Sequence, residues 1–289
     1  MSNTPHAIAL GFFDGVHIAH RKIIGTAVEY GKDNNIHAVA LSFDASPLEI
    51  LSPGNIKYLT TLEEKRALIS SLGASADFLH MSREFLNMPD EDFIKEILVD
   101  RYNVKYAVCG YNYRFGCGGR GNTQRLIEYG VKYGFEVKVL DCETALGEAV
   151  SSSRIRELIA KGEIATANEL LGRSFSVTGT VCEGKQLGRT LGFPTANVFP
   201  ASSIVIPKNG VYKTLVHTDG KSYSAITNTG INPTVGGERL RTETYIPHAS
   251  LNLYGKEIKI EFIDFIRPER KFESTDDLKK QIKKDLEAL

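Results

Sequence analysis

What this chain lacks narrows its reading first. Its four cysteines, Cys109, Cys117, Cys142 and Cys182, form no CxxC pair, so neither a zinc ribbon nor a disulfide framework is indicated. No apolar run approaches the roughly 20 residues that a membrane span needs. The stretch from Met1 to Leu10 has neither the basic start nor the small-residue cleavage site of a secretory leader. A reduced cytoplasm is therefore the expected location. Net charge is missing too: 35 Lys+Arg balance 35 Asp+Glu, which removes any global field for nucleic acid or anionic lipid. There is no internal repeat and no low-complexity segment. What remains is 289 residues, 42% hydrophobic and 24% charged, enough for one large or two ordinary globular domains.

The first half alternates strand-like and helix-like segments. Apolar runs at Ile8–Phe13, Ala38–Phe43, Phe78–Met81, Tyr106–Cys109 and Phe135–Leu140 read as strands. Helices are predicted from about Ile18, at Asp90–Tyr102 and at Thr123–Tyr133, and Thr61 with Glu64 reads as a capping box opening another. Repeated β-α units imply an α/β parallel sheet with helices on both faces, and ligands then sit beyond the carboxyl ends of the strands. Two more helices, Ser152–Lys161 and Ile164–Leu171, close this half. Beyond Gly172 short β-prone segments alternate with Gly, Pro, Asn and Asp: Phe175–Cys182, Gly210–His217, Tyr223–Asn228, Glu243–Ile246 and Lys256–Ile266. That spacing predicts a small antiparallel barrel or sandwich, followed by an amphipathic helix over Ser274–Leu286. The boundary is placed near Arg173, giving domains 1–172 and 173–289.

Three stretches of the first half carry chemistry. In Gly11-Phe12-Phe13-Asp14-Gly15-Val16-His17-Ile18-Ala19-His20, two histidines three apart follow a strand at the start of a helix. Helix-start N–H groups suit a triphosphate, and two imidazoles could stabilise charge building on its α-phosphoryl group. The plainer reading is a pair of surface or capping histidines. A zincin is excluded, since HExxH needs a glutamate and i, i+4 spacing. Gly116-Cys117-Gly118-Gly119-Arg120-Gly121 matches GxGxxG, with Asp141 following 20 residues after Gly121. A nicotinamide-nucleotide oxidoreductase is thus a rival, but Gly110–Phe115 intervene after the strand, where the fingerprint should begin at its tip. The same loop reads alternatively as flexible, with Tyr111, Tyr113 and Phe115 offering stacking faces and Arg114 and Arg120 phosphate donors, or as a solvent loop with core aromatics. Ser151-Ser152-Ser153-Arg154-Ile155-Arg156 puts three hydroxyls and two guanidiniums at a helix start, either a phosphate clamp or an ordinary cap.

GFFDGVHIAH, GYNYRFG and SSSRIR, in that order, resemble the nucleotidyltransferase half of the bacterial bifunctional riboflavin kinase/FAD synthetase family. The resemblance implies a Rossmann-like nucleotidyltransferase domain that transfers an adenylyl group from ATP to FMN. By it, His17 and His20 are catalytic, and Gly11, Phe13, Asp14, Gly15, Ser152, Arg154 and Arg156 bind ATP. Asn112, Arg114 and Phe115 would lie by the flavin. Four positions depart from the family pattern: Ala19 for a glycine, Ala45-Ser46 for Pro-His after Asp44, and Asn112 for an aspartate.

The glycine-rich stretch Gly184–Asn197, which ends in Gly188-Arg189-Thr190-Leu191-Gly192-Phe193-Pro194-Thr195-Ala196-Asn197, reads from its residues as a long hairpin with turn glycines or a phosphate-covering flap. It resembles the riboflavin kinase signature of the same family. The resemblance continues through Gly230–Thr234, Glu243–Ile246, Leu253–Gly255, Arg267–Glu269 and Lys271-Phe272. It implies an antiparallel β-barrel in which Gly188, Thr195 and Asn197 meet ATP and Thr195 and Asn197 hold Mg²⁺. Glu243 is then the general base and Arg267 a flavin contact. Tyr245 replaces a usual histidine, and Pro247-His248-Ala249 and Asn252 replace an acidic and aromatic stretch. The implied partners are small molecules alone (ATP, FMN, FAD, riboflavin), with no nucleic acid, membrane or obligate protein partner. A kinase-dead barrel and a non-catalytic flavin-binding or regulatory protein stand as the alternatives.

Overall fold

The computed structural model describes residues 4–54, 56–183, 191–234, 237–247, 249 and 251–289. Chain contacts divide it into two compact units, Met1–Ser152 and Ser153–Leu289.

The first unit begins with β1 (His6–Leu10), α1 (Ile18–Asn34) and β2 (His37–Phe43), then a short α2 (Pro47–Leu51), α3 (Leu62–Ser71) and β3 (Ser75–Leu79). A turn of helix α4 (Arg83–Leu86) and α5 (Asp90–Asp92) lead into a π-helical stretch, Phe93–Arg101. The unit ends with β4 (Val104–Gly110), α6 (Thr123–Tyr133), β5 (Glu136–Leu140) and a small ribbon of β6 (Thr144–Ala145) and β7 (Glu148–Ala149). β3-β2-β1-β4-β5 form one parallel sheet. Alternation along β1 divides the core, as a period of two requires. Ile8 and Leu10 join Phe93, Ile94, Leu98, Leu126 and Tyr129 on one face. Ala9 joins Ile24, Ala27, Val28 and Ile69 of α1 and α3 on the other. Helices therefore cover both faces, as the β-α alternation predicts. The Thr61–Glu64 capping box that opens α3 is formed. The helix expected over Asp90–Tyr102 is π-helical through most of its length.

The second unit opens with α7 (Ser152–Lys161, whose first residue closes the first unit) and α8 (Ile164–Leu171). Strands β8 (Phe175–Cys182), β9 (Thr195–Val198), β10 (Gly210–Thr218), β11 (Lys221–Thr234), β12 (Gly237–Tyr245) and β13 (Glu257–Pro268) follow. They close into a barrel in the order β10-β11-β12-β9-β8-β13, which settles the choice between barrel and sandwich. Tyr212, Val216, Ile258, Ile260 and Phe262 fill it, alternating with more exposed neighbours. A buried row of hydroxyls crosses three strands, Thr214 to Thr227 at 2.8 Å and Thr227 to Thr244 at 2.9 Å, so these three hydroxyls satisfy one another inside the barrel. Asn168 fastens α8 to the barrel: Nδ2 donates to the Phe262 carbonyl and Oδ1 accepts from Phe175 N. The chain ends in helix α9 (Thr275–Leu286), capped by Ser274.

Candidate active sites

In the first unit the site forms at the carboxyl end of β1. The strand stops at Leu10, short of the predicted Phe13, because Phe13 (φ 54°) and Val16 (φ 42°) take left-handed conformations that no strand tolerates. A side chain at Gly11 would stand 2.7 Å from the Phe13 ring, so only glycine leaves room for this turn. Asp14, 2% exposed, anchors it by accepting Leu59 N at 2.8 Å. Gly15 N reaches Thr60 Oγ1 at 3.4 Å.

The turn delivers His17 to the N-cap of α1, where its Nδ1 accepts the His20 backbone N–H at 3.4 Å. That bond fills Nδ1 and puts the proton of a neutral ring on Nε2. The two rings stack at 3.5 Å between centroids, and Phe13 meets His20 edge-on. His20 is held well below the ordinary histidine value, first by burial, then by His17 and Lys65, so it is neutral near pH 7. Ser152 Oγ donates to the Asp14 carbonyl at 2.9 Å, joining the serine motif to the histidine motif. Arg154 and Arg156 stand on α7 in the second unit, where Arg156 Nη2 donates to Ser153 Oγ.

Two groups here escape a reading of the sequence. Lys65 lies in a charge run that resembles a solvated helix face, yet it is 4% exposed. Its Nζ donates to the Phe12 carbonyl at 3.0 Å and sits 4.0 Å from the Phe12 ring centre. Burial draws its pKa down to about 8 against the opposing pull of Asp14 and Asp44. Ser42 Oγ donates to the same carbonyl at 2.7 Å. Helical spacing from the fully buried Ile69, four residues on, is the signal that could have found Lys65. The second group is His80, whose Nδ1 lies 2.7 Å from Asp44 Oδ2. An imidazole thus stands beside Asp44 although Ala45-Ser46 provides none. Burial pushes the Asp44 carboxyl up, but the Met81 N–H, His80 and the Ala45 N–H outweigh it and hold the group low.

Of the loop's rings, read as stacking faces or as core aromatics, Tyr111 is exposed and Phe115 is a core aromatic. Phe115 is buried in the sheet core against Phe93 and Tyr113, with a β-bridge to Gly121. Asn112 and Arg114 are exposed on the same loop.

In the second unit a cavity of about 290 Å³ opens between the barrel and α9. Phe193, Ile226, Tyr245, Leu278 and Ile282 form apolar walls, while Thr195, Asn228 and Glu243 bring polar groups. Tyr245, the residue standing for a histidine, packs edge-on against Phe193. Strand register aligns Asn197 on β9, Glu243 on β12 and Asn228 on β11 in one row. Arg241 Nη2 lies 3.0 Å from Glu243 Oε1. Thr195 and Asn197 are on a strand rather than a flap, and Gly188 lies outside the described residues. Arg267 lines the cavity, but its guanidinium is spent in a two-point bond to Asp285 of α9, at 2.9 and 2.7 Å.

A stacked histidine pair at a helix start beyond a parallel sheet, and a closed barrel with a pocket, are thus two separate candidate sites of an enzyme. Family models agree unit by unit: FAD synthetase matches residues 1–154 and riboflavin kinase matches 171–289. The Listeria monocytogenes bifunctional riboflavin kinase/FMN adenylyltransferase is 35% identical over 96% of this chain and 89% of its own. The enzyme of the same description from Escherichia coli K12 is 34% identical over 96% and 90%. A Streptococcus pneumoniae protein solved under the name macrolide-efflux protein superposes with TM-score 0.91 at 28% identity, covering 99% of this chain and 94% of its own. No helix among the described residues is long and apolar enough to cross a membrane. The chain belongs to the bifunctional riboflavin kinase/FMN adenylyltransferase family, whose members are enzymes of FAD biosynthesis.

Proposed function

We propose that the first unit adenylylates FMN at the His17–His20 site and the barrel phosphorylates riboflavin at the Glu243 row. The observation that carries the first assignment is the stacked histidine pair at the N-terminus of α1. An FMN phosphate oxygen attacks the α-phosphorus of ATP; the new P–O bond forms as the bond to the bridging oxygen breaks and pyrophosphate leaves. The attacking group is already anionic, so no protein base is needed, and catalysis is positioning with charge stabilisation. His17 donates from Nε2 to the α-phosphoryl oxygens, and His20, neutral and stacked beneath it, fixes its plane. The helix start adds N–H groups and a positive dipole end. Ser152, whose hydroxyl is held on the Asp14 carbonyl, adds a further phosphate contact.

In the barrel the nucleophile is a neutral ribityl hydroxyl, so a base is useful. Glu243 takes its proton as the oxygen attacks the γ-phosphorus and ADP leaves. Thr195 and Asn197 offer neutral hard oxygens, and Glu243 stands opposite Asn197; this donor set fits Mg²⁺. The described residues contain no cluster of three His, Cys, Asp or Glu that would hold a metal alone, so the ion would be shared with phosphate. When bound, Mg²⁺ supplies charge neutralisation on the phosphates. Four free cysteines and an ATP requirement suit the cytoplasm.

The test is direct. ATP and Mg²⁺ are added to riboflavin in one tube and FMN in another, and flavins are resolved by chromatography. FAD from both tubes is expected. FAD from FMN alone would leave the barrel without kinase activity, and no product from either would sink the enzyme reading.

A further inference from the structure

Asn228 is an unassigned group with an unmet need. Its side-chain Oδ1 is buried and has no hydrogen-bond partner among the described residues. Its Nδ2 donates to Glu269 Oε1 at 3.1 Å. A carboxylate only accepts, so this bond fixes which end of the amide faces which way. The buried end is the carbonyl oxygen, and whatever meets it must bring an N–H or O–H. Buried acceptors left without partners are rare because nothing offsets their desolvation. An acceptor of this kind on a cavity wall is a ligand contact in search of a donor.

Its place in the barrel says which donor. Asn228 lines the cavity and pairs across the strands with Glu243. Directly opposed residues of this kind hold their Cβ atoms about 5 Å apart. The hydroxyl that reacts at Glu243 therefore brings the neighbouring part of its own chain past Asn228. The apolar walls, Phe193, Ile226, Tyr245, Leu278 and Ile282, suit a flat ring system instead. We propose that Asn228 reads the polyol chain of the flavin substrate, its Oδ1 accepting a hydrogen bond from a chain hydroxyl adjoining the one phosphorylated.

This rests on the reading of the barrel as a riboflavin kinase. It adds a specificity device, because a site that leaves a polar atom unpaired when the hydroxyl is missing rejects the analogue strongly. Glu269 is then the positioning residue that keeps the amide turned.

The experiment compares binding of riboflavin with that of lumiflavin, the same ring bearing a methyl group in place of the polyol chain. Flavin fluorescence is titrated with unmodified protein and with Asn228→Leu, which keeps size and removes the acceptor. Riboflavin should bind the variant about tenfold more weakly, the value of one hydrogen bond, while lumiflavin binds both proteins alike. Equal weakening of both flavins would show a structural role and overturn the proposal, as would no change in either. Should Asn228→Leu not fold, Asn228→Ala only removes atoms and carries the same comparison. Unmodified protein that binds no riboflavin would instead overturn the kinase reading itself, before any variant is made.

Discussion

The ring of His17 lies on the ring of His20, centroids 3.5 Å apart and planes within 18° of parallel, while His17 Nδ1 caps the His20 backbone N–H. One residue thus does two jobs. Capping, the plainer reading of this pair, is what fixes the orientation of the ring. The stack also disfavours a second charge, since two stacked imidazolium rings would repel, and it is His20 whose pKa is lowered.

A pH prediction follows from the sign of the His20 shift. Its folded pKa is lowered, so the unfolded chain, near 6.5, takes up the proton first. The stability it contributes is whole above that value and is lost as pH falls below it, at most about 1.4 kcal/mol per pH unit. Melting temperature should fall between pH 7.5 and 5.5, and His20→Gln should flatten part of that slope. An unchanged slope in the variant would mean that His20 is not held neutral.

Lys65→Met should raise the His20 pKa, read by NMR titration of the ring, because one of the cations that depress it is gone. It should also slow FAD formation roughly ten- to a hundredfold, as the Phe12 carbonyl loses a charge-assisted bond worth roughly 1.5–3 kcal/mol and keeps only Ser42. A His20 titration that does not move would separate Lys65 from the histidine pair.

Much of this site was legible in the sequence, and the failures have physical causes. The motifs from Gly11 to His20 and around Ser152 announced themselves by spacing, and the structure joins them through Ser152 and Asp14. Helices α6, α7 and α8 fall where periodicity and capping placed them. Lys65 was hidden because charge argues for exposure, and only its partner atoms in the Phe12 carbonyl and ring overrule that. Phe115 was read as a ligand face because a glycine-rich loop gives no sign of which ring turns inward. Asn228 was missed because strand alternation shows a face but not whether a cavity opens on it.

Two glycines of that loop should differ sharply. At Gly116 (φ +72°) an added Cβ would meet the Asp90 backbone at 2.5 Å, whereas Gly118 (φ +60°) has nothing within 4 Å. Gly118→Ala should cost about 1–2 kcal/mol of left-handed strain alone. Gly116→Ala adds overpacking, for a total of about 2–5 kcal/mol. Urea denaturation of the two variants measures the difference, and equal losses would mean that the Asp90 contact yields freely.

The Arg267–Asp285 bond ties α9 to the barrel, with the two side chains 17% and 3% exposed. Arg267→Met strands a buried carboxylate and should cost about 3–5 kcal/mol, while adding Asp285→Leu should recover much of it. A double-mutant cycle with no coupling would show that the pair does not hold the helix.

The measurement closest to the central claim uses two variants and two substrates. Glu243→Gln should form no FMN from riboflavin yet still convert supplied FMN to FAD. The double variant His17→Ala, His20→Ala should do the reverse, stopping at FMN. That crossed pattern is what two separate sites predict. FAD from FMN undiminished in the histidine variant, or FMN formed at the normal rate by Glu243→Gln, would contradict the assignment.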